Sequence, residues 1–264
     1  MTKTALSIAG SDSGGGAGIQ ADLKAFAACG VHGTTAVTAI TAQNTVGVEA
    51  VEAVSPETIV AQVRAVAEDI GVDAVKIGML GTAETVDAVV EALDCVGEAP
   101  LVLDPVMVAE SGAVLLDDAA RIALVERLLP LAAVVTPNIP EARALTGSPD
   151  DYSQEDLARE VLALGPTAVV VTGGHSERGS DLFYDGSVAE EFAGERHPDG
   201  AAHGSGCTHS SALAAFLARG ESPLEAARLA RAVASAATAA GLRDLGQGPG
   251  PVDALGLTGR FQRP

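Results

Sequence analysis

The sequence has no tryptophan, and aromatic residues make up only 3% of its 264 positions. Ring stacking therefore cannot build the core, and Ala, Val, Leu and Ile must fill it. Cysteine is scarce as well. Cys29, Cys95 and Cys207 are widely spaced, odd in number and form no CxxC pair. That argues against a disulfide framework and against a zinc site, and it suits a reducing cytoplasm. Positive charge is also thin, with 16 Lys and Arg against 35 Asp and Glu, a formal net charge of −19. Lys3, Lys24 and Lys76 are the only lysines. Such a surface repels nucleic acid and anionic membranes, so neither is an expected partner. It also suits a salty cytoplasm, where self-repulsion is screened. No apolar stretch reaches the roughly 18 residues of a membrane span. The apolar run at the N-terminus is too short for a signal peptide.

What is present is regular. Hydrophobic residues make up 47% of the chain, and no Ser/Pro-rich linker divides it. One domain over residues 1–264 is expected. Thr4 to Ala9 reads as a buried strand, and Ile19 to Cys29 as a helix closed by Gly30. Thr34 to Ile40 reads as one β-branched strand, and Val48 to Val54 as a half-exposed one. Ser55, Thr82 and Ser153 are expected N-caps. Asp117 or Asp118 starts a helix through Leu129. Leu182 to Tyr184 and Ser187 to Phe192 read as a hairpin turning at Asp185-Gly186. Strands alternate with helices, which predicts a mostly parallel sheet covered on both faces. Ligands in such folds bind beyond the carboxyl ends of the strands.

Polar clusters follow those ends. Ser11 to Gly18 is a glycine-rich loop, but neither GxxxxGK[ST] nor GxGxxG can be read in it, so a P-loop and a dinucleotide fold are not supported. Its glycines are expected to let backbone approach a small ligand. Gln43 offers an amide suited to a heteroaromatic edge. Asp104 and Glu141 are the carboxylates best placed for a divalent cation, with Asn138 nearby. Thr172-Gly173-Gly174-His175 can present amides and a hydroxyl to phosphates. His203-Gly204-Ser205-Gly206-Cys207-Thr208 precedes a helix of small residues. Two readings stand there. One is an anion-binding helix terminus with an activated thiol; the other is a turn into a core helix carrying a buried cysteine. A Cys–His hydrolase using His175 or His203 is a rival chemistry.

Several stretches match one family in order. They are Ile8-Ala9-Gly10-Ser11-Asp12, Gly15 to Lys24, Ala42-Gln43-Asn44-Thr45, Lys76 to Leu80, Leu103 to Met107, Thr136 to Glu141, Gly173-Gly174-His175 and His203 to Thr208. Together they resemble the bacterial and archaeal hydroxymethylpyrimidine/phosphomethylpyrimidine kinases. The resemblance implies a ribokinase-like α/β fold and a cytoplasmic homodimer. It implies ATP- and Mg²⁺-dependent phosphorylation of a hydroxymethylpyrimidine and then of its monophosphate, for thiamine synthesis. It assigns catalysis to Cys207 with the anion hole Gly204, Ser205 and Gly206. Substrate binding falls to Gln43, Asp22, Gly10 and Met79, ATP binding to Asn138, Thr172, Gly174 and Thr208, and metal binding to Asp104 and Glu141. Two departures stand out: Thr172 occupies a place usually held by Lys, and Asp199-Gly200-Ala201-Ala202 replaces a threonine-bearing loop. A pyridoxal kinase on the same framework and a non-catalytic precursor-binding protein are the rival readings.

Overall fold

The structure, a computed structural model, describes residues 1–108, 112–173, 179–194, 197 and 201–257. An eight-stranded sheet organises it. Its strands are β1 (Thr4–Ala9), β2 (His32–Val37), β5 (Ala74–Ile77), β6 (Leu101–Leu103), β7 (Val134–Val135), β8 (Ala168–Val171), β9 (Asp181–Tyr184) and β10 (Ala189–Phe192). β3 (Ala39–Gln43) and β4 (Val48–Ala53) form a separate antiparallel pair. The large sheet runs β10-β9-β8-β7-β6-β5-β1-β2. β2 through β8 in that order are parallel, and β9 and β10 continue as an antiparallel edge. The sheet is therefore mostly parallel, as its alternating elements predict.

Among the described residues eight α-helices cover it: α1 (Gly18–Ala28), α2 (Pro56–Asp69), α3 (Ala83–Leu93), α4 (Asp118–Ala123), α5 (Ile139–Thr146), α6 (Gln154–Ala163), α7 (Ser205–Ala218) and α8 (Pro223–Ala239). Successive strand residues point to opposite faces, and two cores result. Leu6, Ile8, Val75, Ile77, Leu101, Leu103, Val135, Val169 and Val171 pack with the side bearing α2 to α6. Ala5, Ala74, Val102, Val134, Ala168 and Val170 pack with Phe26 of α1 and with α7 and α8. The residues facing α7 are smaller, so that helix lies close to the sheet. Ten of its residues are buried, Thr208 to Ala215 with Leu217 and Ala218.

The expected caps form: Ser55, Thr82 and Ser153 each accept an N–H three residues on. Asp185-Gly186 turns the β9–β10 hairpin, with Asp185 accepting the N–H groups of Ser187 and Val188. Two expectations need correction. Thr34 to Ile40 is not one strand. The chain leaves the sheet at Thr38, whose N–H donates to Ala9 O and whose hydroxyl donates to Met79 O. Ala39 onward then pairs with β4 instead. The helix from Asp117 does not run regularly to Leu129 either. It passes into a π turn at Leu124–Leu128 and a 3₁₀ turn at Leu129–Leu131, because Pro130 cannot donate the next helical hydrogen bond.

Candidate active site

Strand order reverses between β1 and β5. The chain moves from β1 outward to β2, but from β5 outward to β8 in the other direction. The carboxyl ends at such a switch leave a crevice. Gly10 follows β1 there and Met79 follows β5. A Cβ on Gly10 would lie 2.8 Å from Met79 Cε, so only glycine lets that side chain lie across the crevice floor. Gln43 ends β3 above it, pinned by its own backbone: Ser13 Oγ takes the Gln43 N–H at 2.8 Å and donates to Gln43 O at 2.6 Å. Its side-chain Oε1 accepts from Thr41 at 3.3 Å. Its Nε2 has no protein acceptor among the described residues, which leaves donors for a ligand.

The glycine loop before α1 does something different from what its composition suggests. It wraps a protein carboxylate. Asp12 Oδ1 accepts the Gly14 N–H at 2.8 Å, and Oδ2 accepts those of Gly16 and Ala17 at 3.0 and 2.8 Å. The expected approach of these glycines to a small ligand is therefore replaced by approach to Asp12.

α7 begins at the facing loop. Its N-cap, Gly204, is left-handed at φ 82° and supplies no side-chain cap. Ser205 N–H donates to Ala202 O and Thr208 N–H to Gly204 O. The N–H groups of Gly206 and Cys207 have no acceptor among the described residues. Two unpaired amides at the positive end of a 14-residue helix are the arrangement to which anions are drawn. Cys207 follows Gly206 in the first turn of the helix. Burial pushes its thiol up to about 12, with Asp22 and Asp104 adding to the rise and Lys76 opposing it. This corrects the expectation of an activated thiolate: desolvation beside two acids outweighs the helix terminus.

Lys76 and Asp22 lie beneath, both fully buried. Lys76 Nζ reaches the two Asp22 oxygens at 3.0 and 3.1 Å. Asp22 also accepts from Ser7 at 2.6 Å and from Ser211 of α7 at 2.7 Å. Burial alone would lower the Lys76 pKa, but Asp22, Cys207 and Asp104 hold it above its ordinary value. Asp22 thus corrects the sequence reading. Its oxygens are consumed by a core ion pair, so it does not face the crevice. Thr208 is a second correction: it is buried to 0% exposure in α7, and its amide closes the first helical turn.

Asp104 follows β6 next to this network. It accepts from Ser210 of α7 at 3.0 Å and lies 4.0 Å from Lys76 Nζ. Burial raises its pKa, against the opposing pull of Lys76. Asn138 and Glu141 form a capping box for α5: Asn138 Oδ1 accepts the Glu141 N–H at 2.8 Å, and Glu141 Oε2 accepts the Asn138 N–H at 2.9 Å. Burial, and then repulsion from Asp104, pushes Glu141 up to about 8. Two carboxyls close enough for Asp104 to raise Glu141 fit a hard divalent cation, which takes oxygen ligands and keeps waters. Among the described residues no three His, Cys, Asp or Glu side chains form a metal cluster. An all-protein cage is therefore not what this site offers. Thr172 bridges to Asn138, its N–H donating to Pro137 O at 2.8 Å, so the ends of β7 and β8 stand side by side. Gly174 and His175 lie outside the described residues.

The two histidines beside Cys207 face elsewhere. His203 Nε2 lies 3.0 Å from Asp12 Oδ2, and His209 Nε2 lies 3.7 Å from Asp181 Oδ2. Both ring nitrogens meet carboxylates, which gives no support to a Cys–His hydrolase built on His203. Sequence reasoning singled out none of Asp12, Lys76, Ser210 and Ser211 as site residues. A signal existed for Lys76: a lysine inside the apolar run Val75-Lys76-Ile77 must find a buried partner. Ser210 and Ser211 carried none, since serine in a helix of small residues is ordinary.

A family model described as phosphomethylpyrimidine kinase matches residues 12–253. The hydroxymethylpyrimidine/phosphomethylpyrimidine kinase of Rhizobium meliloti (strain 1021) is 51% identical over 258 residues, covering 96% of this chain and 97% of its own. Among solved structures, the ADP complex of Bacillus subtilis pyridoxal kinase is similar with a TM-score of 0.89 and 38% identity, over 98% of this chain and 100% of that one. The phosphomethylpyrimidine kinase of Clostridium difficile 630 is similar with a TM-score of 0.77 and 42% identity, over 88% of this chain and 97% of that one. The ordered motifs, the doubly covered sheet and a match across nearly the whole length lead to one conclusion: the chain belongs to the phosphomethylpyrimidine kinase family.

Proposed function

We infer that the protein transfers the γ-phosphoryl group of ATP to the hydroxymethyl oxygen of 4-amino-5-hydroxymethyl-2-methylpyrimidine, and then to the resulting monophosphate. The observation that carries this reading is the pair of unpaired amides at Gly206 and Cys207, opening onto the switch-point crevice of a phosphomethylpyrimidine kinase fold. Phosphoryl transfer passes through a loose transition state and needs charge stabilisation more than covalent help. Helix-terminal donors supply that at the transferring group, in a site where they need not reorganise. Gln43 reads the aminopyrimidine edge, while Gly10 and Met79 form the floor under the ring. Asn138 and Thr172 stand where ATP phosphates would approach.

Asp104 and Glu141 would hold Mg²⁺, which when bound draws charge from the phosphate oxygens. Cys207 holds its proton near neutral pH, so the acceptor hydroxyl keeps its own proton until bond formation is advanced. The turn amides then carry more of the catalysis than the thiol. The proposal includes a homodimer in the cytoplasm, which the resemblance implies. No helix among the described residues is long and apolar enough to cross a membrane.

A second reading, pyridoxal kinase, is favoured by one observation. The pyridoxal kinase structure superposes over more of this chain, and with a higher TM-score, than the solved phosphomethylpyrimidine kinase does. Steady-state ATP turnover with hydroxymethylpyrimidine, its monophosphate and pyridoxal separates the two. Turnover with both pyrimidines is expected. Phosphorylation of pyridoxal alone would replace the first reading with the second.

A further inference from the structure

One side-chain pair, a buried Asp12 and a partly buried His203, joins the two glycine loops. Asp12 is 1% exposed. Besides its three loop amides it meets His203 Nε2 at 3.0 Å, and its own N–H donates to Gln20 Oε1 at 2.9 Å. Burial alone would raise its pKa, but the hydrogen bonds from His203, Ala17 and Gly14 outweigh that and hold it below the ordinary value. Asp12 is therefore a carboxylate. A carboxylate only accepts, so Nε2 is the donor.

His203 directly precedes Gly204, the N-cap of α7. Its main chain is held from the other side by the C-terminal segment: its N–H donates to Gly250 O at 3.3 Å, and its carbonyl accepts the Val252 N–H at 3.1 Å. The two loops also fit by shape. A Cβ on Gly16 would lie 2.8 Å from His203 Nε2 and 3.1 Å from Pro251 Cβ. A Cβ on Gly204 would overlap the Gly16 carbonyl. Neither loop can shift without breaking the pair or opening a gap beside the other.

We propose that the Asp12–His203 pair is a latch that sets the phosphoryl-binding turn of α7 at a fixed distance from the substrate end of β1, and that His203 is a positioning residue for the transfer. The acceptor rests beside Gly10 and Met79, on one loop's root. The donor phosphoryl rests on Gly206 and Cys207, on the other loop. In-line transfer depends on the distance between the two, and about 1 Å of misplacement can cost on the order of 100-fold in rate. The latch rests on the phosphoryl-transfer reading.

The test is steady-state kinetics with hydroxymethylpyrimidine and ATP on His203→Leu and His203→Gln, with melting temperatures measured alongside. Leucine fills space without donating, whereas the glutamine amide nitrogen reaches about where Nε2 stands. In His203→Leu, kcat should fall at least ~10-fold while both KM values stay within about threefold, because each ligand keeps its own loop. His203→Gln should recover kcat to within about threefold of the unsubstituted enzyme. A leucine variant within about twofold in kcat overturns the latch, and so does a glutamine variant no better than the leucine one. Should His203→Leu fail to fold, Asp12→Asn reads the pair from its other end: the same loss of kcat is expected, and an unchanged kcat overturns the proposal. Absence of turnover by the unsubstituted enzyme would instead sink the kinase reading itself.

Discussion

Two glycine-rich turns lead into two helices, and they differ in what occupies their amides. Before α1, the N–H groups of Gly14, Gly16 and Ala17 close on Asp12, and that of Ile19 on Gly10 O. This turn carries its own anion. Before α7, the N-cap is a glycine with no side chain to offer, and the amides of Gly206 and Cys207 remain open. A run of glycines thus says only that backbone comes close to something. Whether that something is a protein carboxylate or a ligand depends on which acidic side chain the fold delivers.

The largest expected effect comes from closing the open turn. Gly204 is left-handed, and a Cβ there would overlap the Gly16 carbonyl. Gly204→Ala should lower kcat by about 100-fold or more and destabilise the fold by roughly 1–3 kcal/mol, through strain at φ 82° and displacement of the turn. Near-normal kinetics in that variant would mean that the turn does not hold the phosphoryl group.

The filled turn should respond in stability first. Asp12→Ala strands three loop amides and should cost about 2–4 kcal/mol at pH 7 in denaturant unfolding. Asp12 has a folded pKa below its ordinary 3.8, so its stabilisation is present above that value and is lost as pH falls through the folded one. The variant and the unsubstituted protein should therefore converge in stability in acid. A constant gap down to low pH would show that the carboxylate charge does not hold the loop.

Glu141 sharpens the contrast from the metal side. With its pKa pushed up to about 8, a cation must displace its proton below that pH. The Mg²⁺ concentration for half-maximal activity should fall by up to about tenfold per pH unit between pH 6.5 and 8, then level off. A flat dependence in a titration of activity against Mg²⁺ would remove Glu141 from the metal site. The smallest effect is expected at the sulfur. Cys207→Ala should lower kcat by less than about tenfold and leave ATP affinity unchanged, since a thiol pushed up to about 12 contributes little base at neutral pH. A loss near 1000-fold would restore the thiol as the proton acceptor.

Much of this arrangement was legible. The alternation of β-branched runs with capped helices dictates a mostly parallel sheet, and Ser55, Thr82 and Ser153 cap where their spacing says they should. Gly10, Gln43, Met79, Asp104 and Gly206 all come to the carboxyl edge. The misreadings have physical causes. Asp22 looked like a pocket acid because nothing local reveals that Lys76, 54 positions away, neutralises it in the core. Thr208 looked like a ligand hydroxyl because it adjoins a binding turn, yet helical geometry rotates it inward. Thr34 to Ile40 looked like one strand because its β-branched residues continue without a break through Thr38.

The sequence by itself determined the elements, their order and the backbone freedom at Gly10, Gly16 and Gly204, because propensity, capping and steric room act over a few residues. Tertiary structure alone decided which helix start stays open and which is filled, and that the thiol at Cys207 keeps its proton. Those outcomes depend on charge and burial brought from Asp12, Asp22, Lys76, Asp104 and His203, groups far apart in the chain and adjacent only once the sheet has formed.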